Sequence, residues 1–158
     1  MINYVKIIGE VHPDVSVSCL GDTSDYNNIT FNSGYVSKAD LDSEYINCYK
    51  KEKNHSIDQK TGYLFSLGFV YDTNTFSLSL SAQSNWNTLK GSEADFTWPV
   101  SVSTIDDGEY ILPQTSLQAF WEAARDEGKV HLDGGRSLKQ QVNAATTIAE
   151  IDAIVDNR

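Results

Sequence analysis

Three histidines, His12, His55 and His131, are the residues best suited to proton transfer or metal ligation near neutral pH. None forms a His-x-x-x-His pair, so each reads as a surface or loop residue. Cys19 and Cys48 are too few and too far apart for a zinc site or a disulfide framework, and both are expected as free, partly buried small hydrophobes. Asp72-Thr73-Asn74 and Asp106-Asp107-Gly108-Glu109 look like the start of calcium loops, but neither continues to the later carboxylate that such a loop needs. As turns they need no ion. The chain has no Gly-x-Ser-x-Gly elbow, phosphate-cradling loop or dinucleotide fingerprint. Its 22 acidic residues contain many carboxylate pairs, so a two-carboxylate hydrolase is the remaining catalytic alternative. A polysaccharide-degrading enzyme would ordinarily need a larger scaffold than 158 residues. The expectation is therefore a protein that is not an enzyme, with no catalytic residue, metal or cofactor.

Aromatic side chains offer a different chemistry, the stacking of sugar rings or of a protein partner. Tyr71, Trp86 and Trp98 are the candidates for an interface or a glycan-stacking surface. Trp121 falls inside an amphipathic stripe and is expected in the core.

The formal net charge is -10, from 12 basic and 22 acidic residues, and no basic patch is visible. Nucleic acid is thereby disfavoured as a partner. The longest basic cluster, Lys50-Lys51-Glu52-Lys53, reads as the end of a helix, where it would complement the helix dipole. No apolar run approaches the roughly 20 residues of a membrane-spanning helix, so membrane insertion is not expected. Met1-Ile2-Asn3-Tyr4-Val5-Lys6 lacks a secretory signal's long apolar region, which implies synthesis and retention in a cytoplasm before any assembly step.

The elements that would carry these residues follow from periodicity. With 40% hydrophobic and 11% aromatic residues the chain can bury a core, which argues against wholesale disorder. Val15, Val17 and Cys19 alternate with serines, and Ile29 and Phe31 share a face, which predicts a hairpin across the Gly21–Asp25 turn. Ser37-Lys38-Ala39-Asp40 resembles a capping box with Asp for Glu, opening a helix to about Lys53. Residues 54–62 then read as a linker, and Tyr63 to Tyr71 as a β-prone run. The stretch from Leu78 to Leu89 is open between a strand that becomes a helix and one continuous helix. Asp106-Asp107-Gly108 sits between apolar alternations as a hairpin turn, with Pro99 confining its strand to an edge. Leu117, Phe120, Trp121 and Ala124 predict a helix ending at Gly128. After a break at Gly134-Gly135, Ser137 starts another, and Thr146-Thr147 re-caps a final turn. Strands and helices without βαβ alternation give an α+β fold, small antiparallel hairpins packed with several amphipathic helices. Three segments result: a hairpin-plus-helix module over 1–53, a linker over 54–62, and an α+β domain over 63–158.

The order of features from Gly68 to Ile154 resembles an uncharacterised domain found at the C-termini of bacteriophage tail-fibre and tail-associated proteins. A β-run and turn (Phe69-Val70-Tyr71-Asp72-Thr73) leads into Ser81-Ala82-Gln83-Ser84-Asn85-Trp86. Thr97-Trp98 and the acidic turn Asp106-Asp107-Gly108 follow, then a helix opening on Thr115-Ser116-Leu117. The close, Leu138-Lys139-Gln140-Gln141-Val142-Asn143-Ala144-Ala145-Thr146-Thr147, is similar to that domain's helix, Ala-Ala-Thr, helix ending. Tyr26-Asn27-Asn28-Ile29-Thr30-Phe31 with Ser37-Lys38-Ala39-Asp40-Leu41 is similar to a phage tail-associated N-terminal segment, although Phe31 stands where that segment has tryptophan and no proline precedes the cap.

The resemblance implies a virion structural protein of the tail fibre, hub or collar, docking onto other phage tail proteins as a homo-oligomer. By analogy with fibre proteins the oligomer would be a trimer, although no heptad run sets that number. It would be located in the virion tail after synthesis in the host cytoplasm. A fibre assembly chaperone absent from the particle is the main alternative, and a module recognising a host surface glycan is another. No catalytic residue is carried over.

Overall fold

The computed structural model describes residues 3–158. The fold is α+β, as expected, with three small two-stranded antiparallel sheets among several helices. It divides into two compact units, Met1–Asn54 with Gln141–Val155, and His55–Gln140 with Asp156–Arg158. Two long helices, α2 (Lys38–Leu67) and α4 (Leu117–Ala144), contribute residues to both.

In the first unit α1 (Tyr4–Val11) starts where the Asn3 side chain accepts from the Lys6 N–H. Tyr4, Ile7 and Ile8 recur at helical spacing and are buried. The expected hairpin forms from β1 (Ser16–Cys19) and β2 (Ile29–Ser33), pairing Val17 with Phe31 and Cys19 with Ile29. These faces close over Val36 and Leu41 in an aliphatic core. Ser37 caps α2 as read, its hydroxyl accepting from the Asp40 N–H at 3.1 Å. The short helix α5 (Ile148–Asp152) opens on a full capping box between Thr147 and Glu150, and Ile151 is buried.

The second unit holds the remaining strands. β3 (Phe69–Tyr71) and β4 (Asn74–Phe76) join through Asp72 and Thr73, both at positive φ, the two-residue turn whose twist suits a tight hairpin. The open reading of Leu78–Leu89 resolves as one helix with no strand: β4 ends before it at Phe76, Ser79 caps, and α3 runs Leu80–Gly91. β5 (Val100–Ser103) and β6 (Glu109–Leu112) flank the Asp106-Asp107-Gly108 turn. Pro99 lies just before β5 rather than within it, so the strand starts later than its aromatic lead-in suggests.

Three expectations are corrected. Residues 54–62 are not a linker but the middle of α2, which also absorbs Tyr63–Leu67 from the β-prone run. Burial of Ile57 and Leu64, two turns apart, outweighs the polar composition and the β-propensity. Gly68, at φ +78°, is what ends the helix. Lys50-Lys51-Glu52-Lys53 is therefore mid-helix; Lys50 donates instead to the Asn143 carbonyl, at the C-terminal end of α4. Finally, α4 is unbroken through Gly128, Gly134 and Gly135. The glycine pair is covered by Arg158: a Cβ on Gly134 would lie 2.7 Å from its Cδ, and one on Gly135 2.7 Å from its Nη1. Close approach, not a helix break, accounts for the pair.

Candidate functional site

The aromatic residues of the second unit converge on Phe120, which is fully buried. Its ring meets Phe76 at 4.9 Å, Trp86 at 5.0 Å, Phe69 at 5.2 Å and Tyr71 at 5.4 Å, all edge-on. Beside this cluster a half-open cavity of about 300 Å³ is floored by Phe65, Trp86, Ala124 and Gly128. Trp121 forms one wall, oriented by its indole N–H, which donates to Asn87 Oδ1 at 2.9 Å. The Arg125 guanidinium lies 4.9 Å from the Trp121 ring centroid and pairs with Asp126 at 2.8 Å.

Three cations, Arg125, Lys129 and Arg136, line this cavity with a single carboxylate, Asp133. Lys129 and Arg136 both contact Asp133. The Lys129 hydrogen bond is the main influence holding the Asp133 carboxyl below the usual aspartate range. In a chain of net charge -10 this is a local reversal of sign.

The sequence candidates separate in the structure. Trp86 is buried, and its indole N–H donates to the Ser77 carbonyl at 3.2 Å; it reaches the cavity only as floor. Trp98 is half-buried, donates to the Glu93 carbonyl at 2.9 Å and packs edge-on against Phe96. Tyr71 packs on the Phe120 cluster and against Tyr110. Only Trp86 of these three lines the cavity, whereas Trp121, expected in the core, is half-buried and forms its wall. Helical spacing located the Trp121 stripe correctly but not its edge, where α4 leaves the core.

Several of the other chemistry-bearing residues have structural partners. His12, the C-cap of α1, places Nε2 2.8 Å from both Glu44 carboxylate oxygens. His55 is exposed on α2, in place of the expected loop. His131 is buried rather than on the surface: Nε2 lies 3.2 Å from Glu127, and Nδ1 has no partner among the described residues. Its helical position on α4, beside the Phe65 ring, draws the imidazole inward. Cys19 and Cys48 are free and half-buried. The turn carboxylates also work locally: Asp72 accepts from the Tyr110 hydroxyl at 3.0 Å, and the Thr104 hydroxyl bond holds the Asp106 carboxyl below its usual range. Among the described residues no three of His, Cys, Asp and Glu converge as a metal-binding group, and no helix is long and apolar enough to cross a membrane.

Arg158 is the most heavily bonded cation among the described residues. It donates to the carbonyls of His131 and Ile57 and to Thr61 Oγ1, and pairs with Asp156 at 2.6 Å. That pairing holds the Asp156 carboxyl below the usual range. No protein-family model matches the chain, and no curated protein or solved structure matches it.

Proposed function

We propose that the protein is a non-catalytic structural component of a bacteriophage tail, a fibre, hub or collar piece that docks onto other tail proteins. The supporting observation is the order of elements in the second half of the chain. Hairpin β3–β4, the Ser/Gln-bearing α3, the acidic-turned hairpin β5–β6, α4, and an Ala-Ala-Thr step into the capped α5 come in the order that the resemblance implies, although Thr97-Trp98 precedes β5 and does not form the Trp-centred strand of that domain. His12, Asp72 and Asp156 are engaged in a cap, a turn and an ion pair, a use that suits a packing and docking role.

Quantitative mass spectrometry of purified particles, set against the infected lysate, tests this reading. A tail component is present in the particle in fixed stoichiometry with other tail proteins. Its presence in the lysate alone would overturn the structural role and favour a fibre assembly chaperone.

A further inference from the structure

We propose that the cavity between α3 and α4 in the second unit binds an acidic saccharide, seating one sugar ring on the Trp121 wall and its carboxylate at the neighbouring pair Arg125 and Lys129, one turn apart on α4. This goes beyond the tail-docking role and stands independently of it: the particle census and the titration below fail separately.

Three features carry it. Volume comes first, since about 300 Å³ lies at the small end of ligand pockets and suits a single-ring occupant. The lining is next. An indole wall offers an apolar face for the C–H side of a sugar ring. Gln83 Nε2 is committed to the Leu78 carbonyl, and Asn87 Oδ1 to Trp121. Gln83 Oε1 and Asn87 Nδ2 have no partner among the described residues, which leaves one acceptor and one donor for sugar hydroxyls. The three cations exceed the two carboxylates they pair with, Asp126 and Asp133, by one charge, so the rim favours an anionic substituent over a neutral sugar.

The third feature is Gly128. A glycine inside a helix costs about 1 kcal/mol relative to alanine. At Gly134 and Gly135 the close approach of Arg158 explains that cost. At Gly128 the nearest atom to an added Cβ is Phe65 Cε1 at 3.7 Å, ordinary contact distance, so packing would accept a methyl. Gly128 is nevertheless buried and forms part of the cavity floor. The missing side chain keeps that floor open.

A second groove, of about 430 Å³ and lined by Ser77, Ser79, Ser81, Ser101 and Ser103 together with Trp86, carries hydroxyls and no charged side chain. It serves as the internal control.

The test is a titration of the isotope-labelled full chain with glucuronate, a glucuronate oligomer and glucose, followed by amide and indole N–H resonances. Saturable shifts at the Trp121 indole and along residues 124–136 are expected with the acidic ligands and not with glucose. Saturation by the monomer identifies a free acidic sugar as sufficient, and saturation by the oligomer alone identifies a polysaccharide. Gly128→Ala should weaken binding about tenfold while leaving the fold intact and its melting temperature unchanged or raised. Arg125→Gln should weaken the acidic ligands selectively. The proposal is overturned if nothing saturates by about 10 mM, if glucose shifts the same residues equally, if shifts map to the serine groove, or if Gly128→Ala binds as the parent does.

Discussion

The two units solve the same packing problem with different side chains. In the first, Tyr4, Ile7, Ile8, Ile29, Val36 and Leu41 make a core dominated by aliphatic residues. Aliphatic contact has no preferred direction, and this unit adds polar clasps between distant parts of the chain. The Tyr4 hydroxyl donates to Asp42 at 2.6 Å, the Tyr26 hydroxyl to the Val36 carbonyl at 2.6 Å, and His12 meets Glu44. Burial, followed by the neighbouring Tyr35 hydroxyl, pushes the Tyr26 phenol up to about 12. In the second unit the rings around Phe120 supply direction themselves, because edge-to-face contacts fix angle as well as distance. The first unit has ring contacts too, Tyr4 edge-on to Tyr26 at 5.7 Å, but they lie beside its aliphatic core rather than forming its centre.

The contrast breaks most sharply at Phe120. Phe120→Ala should cost about 4 kcal/mol and flatten the near-ultraviolet circular dichroism, because four ring contacts vanish with it. Ile8→Val in the first core should cost only about 1 kcal/mol and leave that spectrum unchanged. Denaturant unfolding of both variants checks the ranking. A loss at Phe120 that, per carbon removed, only matches that at Ile8 would mean that the rings act as generic apolar volume.

Gly68 ranks next, since it sets how the second unit's first hairpin leaves α2. Its φ of +78° suits glycine, and an added Cβ would lie 2.1 Å from the Phe76 carbonyl oxygen. Relieving the overlap requires the backbone at Phe76, which pairs with Phe69 in the β3–β4 hairpin, to shift. Gly68→Ala should therefore lose about 3 kcal/mol, read from the shift in denaturation midpoint.

Arg158 makes more side-chain hydrogen bonds than any other cation among the described residues of the second unit, so it tests whether rings alone suffice there. Arg158→Ala should cost about 2 kcal/mol, from the lost bonds to the Ile57 and His131 carbonyls and to Asp156. The sharper readout is a change of sign. Gly134→Ala alone should destabilise by crowding Arg158 Cδ, the nearest atom to its added Cβ. Combined with Arg158→Ala it should stabilise, by up to about 1 kcal/mol of helix propensity. A thermal-melt double-mutant cycle measures this coupling, and additive effects would show that Arg158 does not occupy the glycine surface in solution.

The sequence made the hairpins, caps and fold class legible, because their signals are local. Val17 and Cys19 against Phe31 and Ile29, the Asp106–Gly108 turn and the Thr147 cap are each read within a few residues. The lengths of α2 and α4 were not legible, because distant partners decide them. Residues 54–62 are polar, and nothing within them shows that Ile57 will be buried. Gly134-Gly135 has the composition of a break until Arg158, more than twenty residues later, is seen to lie over it. The cavity was half legible: Trp86 was singled out, whereas Trp121 was assigned to the core and the cations that join it lie at helical spacings no motif marks. The stripe Trp121, Arg125, Lys129, Arg136 was the available signal, an aromatic followed by cations at intervals of four, four and seven.

The smallest effect, and the most specific to the first unit, belongs to the Tyr4–Asp42 clasp. Partial burial by itself would raise the Asp42 carboxyl; the hydrogen bonds from Lys38 and Tyr4 outweigh it and leave the group below the usual aspartate range. Burial, then the bond to Asp42, raises the Tyr4 phenol. The signs bound a window. A depressed carboxyl contributes stability at neutral pH that is lost as pH falls through its folded value, below about 4. A raised phenol contributes stability present below its unfolded value, lost as pH rises beyond about 10. Tyr4→Phe should therefore cost about 1 kcal/mol between those limits, with the difference from the parent shrinking at both ends. Stability curves of the two proteins from about pH 3 to 11 would show a plateau with two shoulders. A pH-independent difference would mean that the hydroxyl acts only through packing, and that the first unit needs its clasps no more than the second does.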